Sequence, residues 1–281
     1  KKIIKKNNVK LIKLNLNYSP TLGKTLITRI INNFLKKKKR GGSIVNKLKN
    51  NFFIKLNSIN YHDYSFVSSK KQNIKQSKGL IIKSHSLDYD IFLANKKKIK
   101  NDKIIFLDSN ILFNTDFKIH KTRKPISENS YIKQINIFFE GIEKDLQKKI
   151  IIAANPKSNV KKISKIFNNR KVLINKTFDL IRESKLVIAH KSTAISFAVL
   201  LKKPILFITS NEINKTWFGD DIKDQAKLLS SYPLNINQPK KLIKKDIYSF
   251  NKAKYNKYID DYIKYPKSKK ISNWKLFIQT I

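Results

Sequence analysis

Four polar turns, each following a short apolar run, carry the side chains best suited to binding an anion or moving a proton. Leu186-Val187-Ile188-Ala189 runs into His190-Lys191-Ser192-Thr193, and Ile150-Ile151-Ile152-Ala153-Ala154 into Asn155-Pro156-Lys157-Ser158. Ile104-Ile105-Phe106-Leu107 ends in Asp108, and Leu80-Ile81-Ile82 is followed by Ser84-His85-Ser86-Leu87-Asp88-Tyr89-Asp90. Hydroxyl, amide and ammonium groups at such turns are donors to phosphate oxygens, and a carboxylate at one of them is a proton acceptor. Three of these turns also have a structural reading. Ser192 and Thr193 cap a helix, His190 is a satisfied histidine at a strand end, Asp108 serves its own turn, and His85 and Asp88 cap and hydrogen-bond locally.

The elements that position these residues follow from the hydrophobic pattern. Apolar bursts separated by helical periodicity argue for parallel strands joined by crossover helices. In the second half the bursts at 150–154, 172–174, 186–189 and 205–208 alternate with helical runs, which is the order of a doubly wound sheet. Such a sheet brings all its strand-to-helix turns to one edge, and ligands bind there. Asn155, Lys157, Ser158, His190, Ser192 and Thr193 are expected to share that edge, with Pro156 ending the strand ladder and setting the turn. In the first half, Val9–Leu16, Tyr64–Val67 and Leu80–Ile82 read as strands, and helical patterns cover 26–35 and 44–56. A strong amphipathic helix starts near Ser127, with Tyr131, Ile135, Phe138, Phe139 and Ile142 on its apolar face. The aperiodic stretch Ser109–Ser127, carrying Asp116, His120, Arg123 and Pro125, is long for an ordinary loop, so the domain boundary is placed inside it. Trp217-Phe218-Gly219 reads either as a cleft-side aromatic or as core, and the Lys- and Tyr-rich tail from Leu242 as helices.

Composition narrows the function classes. The 281 residues are 41% hydrophobic, enough for a core, and carry a formal net charge of +42. Arginine occurs only at Arg29, Arg40, Arg123, Arg170 and Arg182, whereas direct base reading leans on bidentate arginine, so nucleic acid is not the expected partner. No apolar run is long enough for a membrane-spanning helix, and the first ten residues lack a signal-peptide pattern. A chain opening on Lys1-Lys2-Ile3-Ile4 without methionine is expected to lack its N-terminal segment. Cysteine is absent, and His62, His85, His120 and His190 are scattered without ligand spacing, so the chemistry is expected to be metal-independent. Gly23-Lys24-Thr25 fails as a phosphate loop because Tyr18 stands where that motif needs its first glycine.

Taken together, Ala153 to Ser158, Lys176 to Ile181, Ser184 to Leu200 and Lys202 to Phe207 resemble the donor domain of GT-B-type glycosyltransferases. The closer likeness is to those of bacterial surface polysaccharide synthesis (capsule and lipopolysaccharide), with the related polysialyltransferases and polyglycerol-phosphate transferases. Ser84 to Asp90 and Phe106 to Asp108 resemble the acceptor-side half, so the blocks span most of Gly79–Ile208. The resemblance implies an α/β, GT-B-like fold of two Rossmann-like, doubly wound parallel-sheet domains facing a cleft, the first N-terminally truncated. Residues 1–118 would form the acceptor-side domain and 119–281 the nucleotide-donor-binding domain with C-terminal helices.

The implied activity is transfer of a sugar from a nucleotide-sugar to a surface polysaccharide or lipid-linked glycan. Transfer of a polyol phosphate from a CDP-glycerol-type donor is the enzymatic alternative, and a non-catalytic protein binding polyanions or membrane is the other. Asn155 stands where the family has a histidine before proline, and its amide can donate a hydrogen bond but cannot act as an acid. Lys157 would then share the leaving-group charge. Asn155, Pro156, Lys157, Ser158, His190, Ser192 and Thr193 would bind the donor nucleotide and phosphate. Asp108 would be the base, with Asp116 the fallback, and His85 and Asp88 would lie on the acceptor side. No resident cofactor is implied, the nucleotide-sugar being a co-substrate. The expected location is cytoplasmic, peripheral at an anionic inner membrane through the terminal helices.

Overall fold

Every strand of the two sheets runs parallel to its neighbours. The computed structural model describes residues 12–15, 63–72, 79–95, 102–114, 117, 122–156, 158–238 and 247–280. The first sheet has the order β1 (Ile12–Asn15), β2 (Tyr64–Val67), β3 (Leu80–Lys83). It leads into α1 (Leu87–Ala94), capped by the Ser86 hydroxyl, which accepts from the Tyr89 N–H at 3.3 Å. The helices expected over 26–35 and 44–56 and the Gly23-Lys24-Thr25 turn lie outside the described residues.

The second sheet contains β4 (Lys103–Leu107), β5 (Ile150–Ala153), β6 (Val172–Leu173), β7 (Ser184–Ala189), β8 (Ile205–Thr209) and β9 (Leu234–Asn235). They lie in the order β6-β5-β4-β7-β8-β9. Numbered within this sheet alone the order is 3-2-1-4-5-6, that of dinucleotide-binding sheets. The chain winds outward from β4 to β6, returns to the centre, and winds outward again from β7 to β9. The reversal falls between β4 and β7, and a crevice opens there at the carboxyl ends of the strands.

The boundary expected at 118 places Ile104–Leu107 on the acceptor side, but β4 pairs with both β5 and β7 and is the central strand of the second sheet. Ile104, Ile105, Phe106 and Leu107 are at most 2% exposed, as a strand covered on both faces must be. The irregular stretch after Asp108 is thus part of the crossover to the next helix, and the chain passes between sheets ahead of Lys103.

That helix, α2 (Glu128–Leu146), buries Tyr131, Ile135, Phe138, Phe139 and Ile142 as its periodicity predicts. Ser127 caps it, accepting from the Ser130 N–H at 3.3 Å. Phe139 meets Phe106 of β4 edge-on with ring centroids 5.1 Å apart, and Phe167, after α3 (Val160–Ile166), closes the cluster at 5.6 Å from Phe106. Burial of each such ring contributes on the order of 2 kcal/mol. The remaining helices are α4 (Thr177–Glu183), α5 (Ile195–Leu200), α6 (Asn211–Asn214) and α7 (Trp217–Leu228). Phe218 of α7 is core, 3% exposed, and Trp217 packs on Phe117 while its indole N–H donates to Thr122 Oγ1 at 3.1 Å.

The tail forms α8 (Lys252–Tyr258), a π-helical turn Ile259–Ile263, and α9 (Asn273–Ile278). Its first part joins the main core through Tyr255, Tyr258, Tyr262 and Ile263, with the Tyr255 hydroxyl donating to Lys203 O at 2.9 Å, and its last part packs on the first sheet. Leu276 joins Phe66 and Ile82 in a second core, Tyr265 N–H donates to Ser84 O at 3.0 Å, and Ser86 N–H donates to Ile263 O at 2.7 Å. Among the described residues no helix is long and apolar enough to cross a membrane.

Candidate functional site

The register of the central strands builds the site. Leu107 is level with Ala153 on one side and with Ala189 on the other, so Asp108, Ala154 and His190 form the next rung at the sheet edge. A cleft of about 450 Å³ opens over this edge. From the second sheet it is lined by Asp108, Asn155, Pro156, Thr177 and the turn Lys191–Ala194, and from the other side by Ser86 and Asp88. The crevice therefore gathers Asp108, Asn155, Pro156, Ser192, Thr193 and Asp88 from four of the turns singled out in the sequence. Asp116 and Lys157 lie outside the described residues.

Asp108 is anchored by its backbone, whose N–H donates to Ala153 O at 3.0 Å. Its Oδ1 accepts from the Asn110 N–H at 2.8 Å, an arrangement that Asn110 meets with a left-handed φ of 51°. Oδ2 is buried and has no hydrogen-bond partner among the described residues. Burial pushes the carboxyl pKa up to about 6, against the pull of the Asn110 N–H. A carboxylate so placed is a proton acceptor tuned toward neutral pH.

At the end of β5, Ser158 N–H donates to Asn155 O at 2.9 Å and closes the turn across Pro156. The Ser158 hydroxyl is buried, and Ser158 is not among the residues that line the cleft. At the end of β7, the Ser192 hydroxyl accepts from the Ala194 N–H at 3.2 Å. That bond uses a lone pair, and the hydroxyl proton remains for a ligand, so capping and ligand binding are compatible in Ser192. Thr193 is exposed within the cleft wall.

His190 takes the structural role. Its ring is fully buried, Nδ1 donates to Ile208 O at 2.9 Å, and Nε2 lies 3.2 Å from the Tyr131 hydroxyl. Burial drives its pKa down to about 4, so the ring is neutral. At a strand end the side chain can point to either face, and here it turns under the sheet edge against Phe106, away from the cleft. His85 is likewise 0% exposed and absent from the cleft lining. Its Nε2 meets Asp90 Oδ1 at 2.7 Å, and Asp90 accepts from Asn273 N–H at 3.0 Å, tying the first sheet to the C-terminal tail. Burial lowers the His85 pKa despite Asp90. Asp88, by contrast, lines the cleft, where its carboxylate accepts from the Ser196 hydroxyl and burial raises its pKa.

Several lining residues carry no assignment from the sequence. Gln225 of α7 clasps the backbone of Ser192, accepting from its N–H at 3.3 Å and donating to its C=O at 3.1 Å. The buried Tyr258 hydroxyl bonds both Ser196 and Gln225, and burial raises its pKa well above the usual phenol range. A polar chain thus runs from Asp88 through Ser196, Tyr258 and Gln225 to Ser192, across the back of the cleft. Tyr262, one turn on in the π-helical segment, packs against Tyr258 with ring centroids 4.9 Å apart and planes tilted by 50°, and also lines the cleft. The i, i+4 spacing of these tyrosines was the available signal. Lys191 is the other addition, paired with Asp221 Oδ2 at 2.5 Å.

No protein-family model matches the sequence, and no curated protein matches it. Among solved structures, the wall teichoic acid polymerase TagF is similar at 14% identity, with a TM-score of 0.45 over 79% of this chain and 57% of that one. The calicheamicin glycosyltransferase CalG4 is similar at 9% identity, with a TM-score of 0.39 over 84% of this chain and 57% of its own. MurG of Acinetobacter baumannii is 8% identical, with a TM-score of 0.32 over 87% of this chain and 58% of that protein. The chain thus spans little more than half the length of these structures.

Proposed function

We propose that the protein transfers a sugar from a nucleotide-sugar donor to a hydroxyl acceptor, without a metal, in the cleft at the switch point of the second sheet. The observation that carries this reading is the pairing, in one cleft, of a buried carboxylate with a pKa of about 6 and a turn of hydroxyls at the end of β7. The acceptor hydroxyl attacks the anomeric carbon while the bond from that carbon to the phosphate oxygen breaks. Asp108 takes the hydroxyl proton, and the nucleoside diphosphate leaves with its charge met by Ser192, Thr193 and the Asn155 amide. Asp88, on the opposite wall, holds the acceptor.

The acceptor proposed is a growing surface polysaccharide or lipid-linked glycan, met at an anionic membrane surface on the cytoplasmic side. Support for that surface comes from α9 and the turn before it, where Trp274 is 68% and Ile278 59% exposed beside the exposed Lys269, Lys270 and Lys275.

A thermal-shift panel of uridine, cytidine and guanosine nucleotides, their sugar conjugates and CDP-glycerol tests the donor site. One base should stabilise the protein, and Ser192→Ala with Thr193→Ala should weaken that effect by about tenfold in affinity. Stabilisation by CDP-glycerol without any nucleotide-sugar would replace sugar transfer by polyol-phosphate transfer. No stabilisation by any nucleotide would end the reading.

A further inference from the structure

The cleft faces an electrostatic mismatch with the ligand proposed for it. Its lining includes two carboxylates, Asp88 and Asp108, and among the described lining residues Lys191 is the single cation. A diphosphate brought into a partly dry cleft needs a countercharge or charge-assisted hydrogen bonds. Hydroxyls and amides supply dipoles but no net charge.

Lys191 is built to supply it on demand. Its backbone precedes Ser192, which Gln225 holds at both N–H and C=O, so the base of the side chain is fixed. Among the described residues its tip is held by Asp221 Oδ2, at 2.5 Å. Asp221 and Gln225 are one helical turn apart on α7, so one face of that helix grips both the backbone of the turn and its cation. The Lys191 and Asp221 side chains are 32% and 23% exposed. An ion pair with that much solvent contact is weak and exchanges its partner at small cost. We propose that Lys191 is the cation that meets the donor's diphosphate, and that Asp221 holds it in reserve until the ligand displaces the carboxylate. This rests on the donor reading above and assigns its charged group and its gate. On binding, the contact to Asp221 breaks, the ammonium closes on a phosphate oxygen, and Asp221 returns to solvent.

The test is a double-mutant cycle read by calorimetric binding of UDP, CDP and GDP, with the matching nucleosides as phosphate-free controls. For the base that binds, Lys191→Ala should weaken the diphosphate about tenfold or more and leave the nucleoside unchanged. Asp221→Asn should tighten the diphosphate about threefold by removing the competing carboxylate. In the Lys191→Ala background Asp221→Asn should do nothing, because no cation is left to release. Apo melting temperatures of all variants should stay near that of the parent, as expected for a partly exposed pair. If the parent binds a diphosphate and Lys191→Ala binds it equally well, the inference fails while the donor reading stands. Weakening by Asp221→Asn in both backgrounds would instead make Asp221 a brace of α7 and would also overturn the inference. A parent that binds none of the three diphosphates sinks both.

Discussion

The Tyr131 hydroxyl lies 3.2 Å from His190 Nε2, directly behind the rung that carries Asp108. Because the other ring nitrogen donates to Ile208 O, Nε2 is a lone pair and Tyr131 is the donor. Both residues are at most 1% exposed, so the bond is sealed from water. Tyr131→Phe would leave a buried acceptor unsatisfied and should cost about 1–3 kcal/mol in urea unfolding. Nucleotide affinity should be unchanged, since neither ring lines the cleft. A Tyr131→Phe protein of parental stability that loses nucleotide binding would contradict the structural role given to His190.

The two buried titratable groups at this edge pull stability in opposite directions. Asp108 has its pKa raised from 3.8 to about 6, so its favourable contribution is full below about pH 4 and is lost as pH rises through 6. His190 has its pKa lowered from 6.5 to about 4, so its contribution is present above about pH 6.5 and is lost as pH falls toward 4. Asp108→Asn removes the first slope and leaves the second. The variant should be more stable than the parent at pH 8 by about 2 kcal/mol, with that advantage gone by pH 4. Denaturant unfolding at both pH values checks it, and a variant less stable at pH 8 would mean that burial of the carboxylate carries no penalty.

On the proposed function, the same substitution separates stability from turnover. Asp108→Asn keeps the shape of the cleft but cannot accept a proton, so turnover should fall by about 10²–10⁴ while nucleotide affinity holds within a few-fold. For the parent enzyme, kcat/KM should rise with pH through about 6 as the carboxylate ionises. A parental rate in Asp108→Asn would move the base to another residue, Asp88 first.

Much of this edge is legible in sequence because central parallel strands are apolar on both faces. The runs 104–107, 150–153 and 186–189 mark themselves, and the turn after each run lands on one edge by topology. The partner strands of β4 are not legible. Pairing between β4 and β7 joins segments far apart in the chain, and the aperiodic residues after Asp108 look the same in a crossover as in a linker. The two-residue β9 leaves no periodic trace at all. The direction of a strand-end side chain is equally hidden, which is why the sequence offers His190 and His85 as site residues although both are buried in the core. Lys191 is visible in its turn but draws no role of its own for the opposite reason: in a chain with 61 basic residues, one more lysine carries little signal until geometry puts it in the cleft. Gln225 and Tyr258 reach the site from distant helices.

Two glycines inside helices should respond to alanine with opposite sign, and the contrast tests how tightly α7 is seated. A Cβ built at Gly219 would stand 2.3 Å from Ile213 O and 2.8 Å from Asn214 Cα, both of them backbone. Neither can rotate away, so Gly219→Ala must push the start of α7 off α6, at a cost on the order of 2 kcal/mol or more. Asp221 and Gln225 ride on that helix, so the grip on Lys191 and Ser192 should loosen and nucleotide affinity should fall with stability. Gly141 is an exposed position in α2 with nothing within 4 Å of its added Cβ. There Gly141→Ala only restricts the unfolded chain and improves helix propensity, for a gain of about 0.5–1 kcal/mol with nucleotide binding untouched. Thermal melts of the two variants, with and without the stabilising nucleotide, give the comparison. A Gly219→Ala protein as stable as Gly141→Ala would show that α6 and α7 are not in the close backbone contact on which the clamp at Ser192 depends.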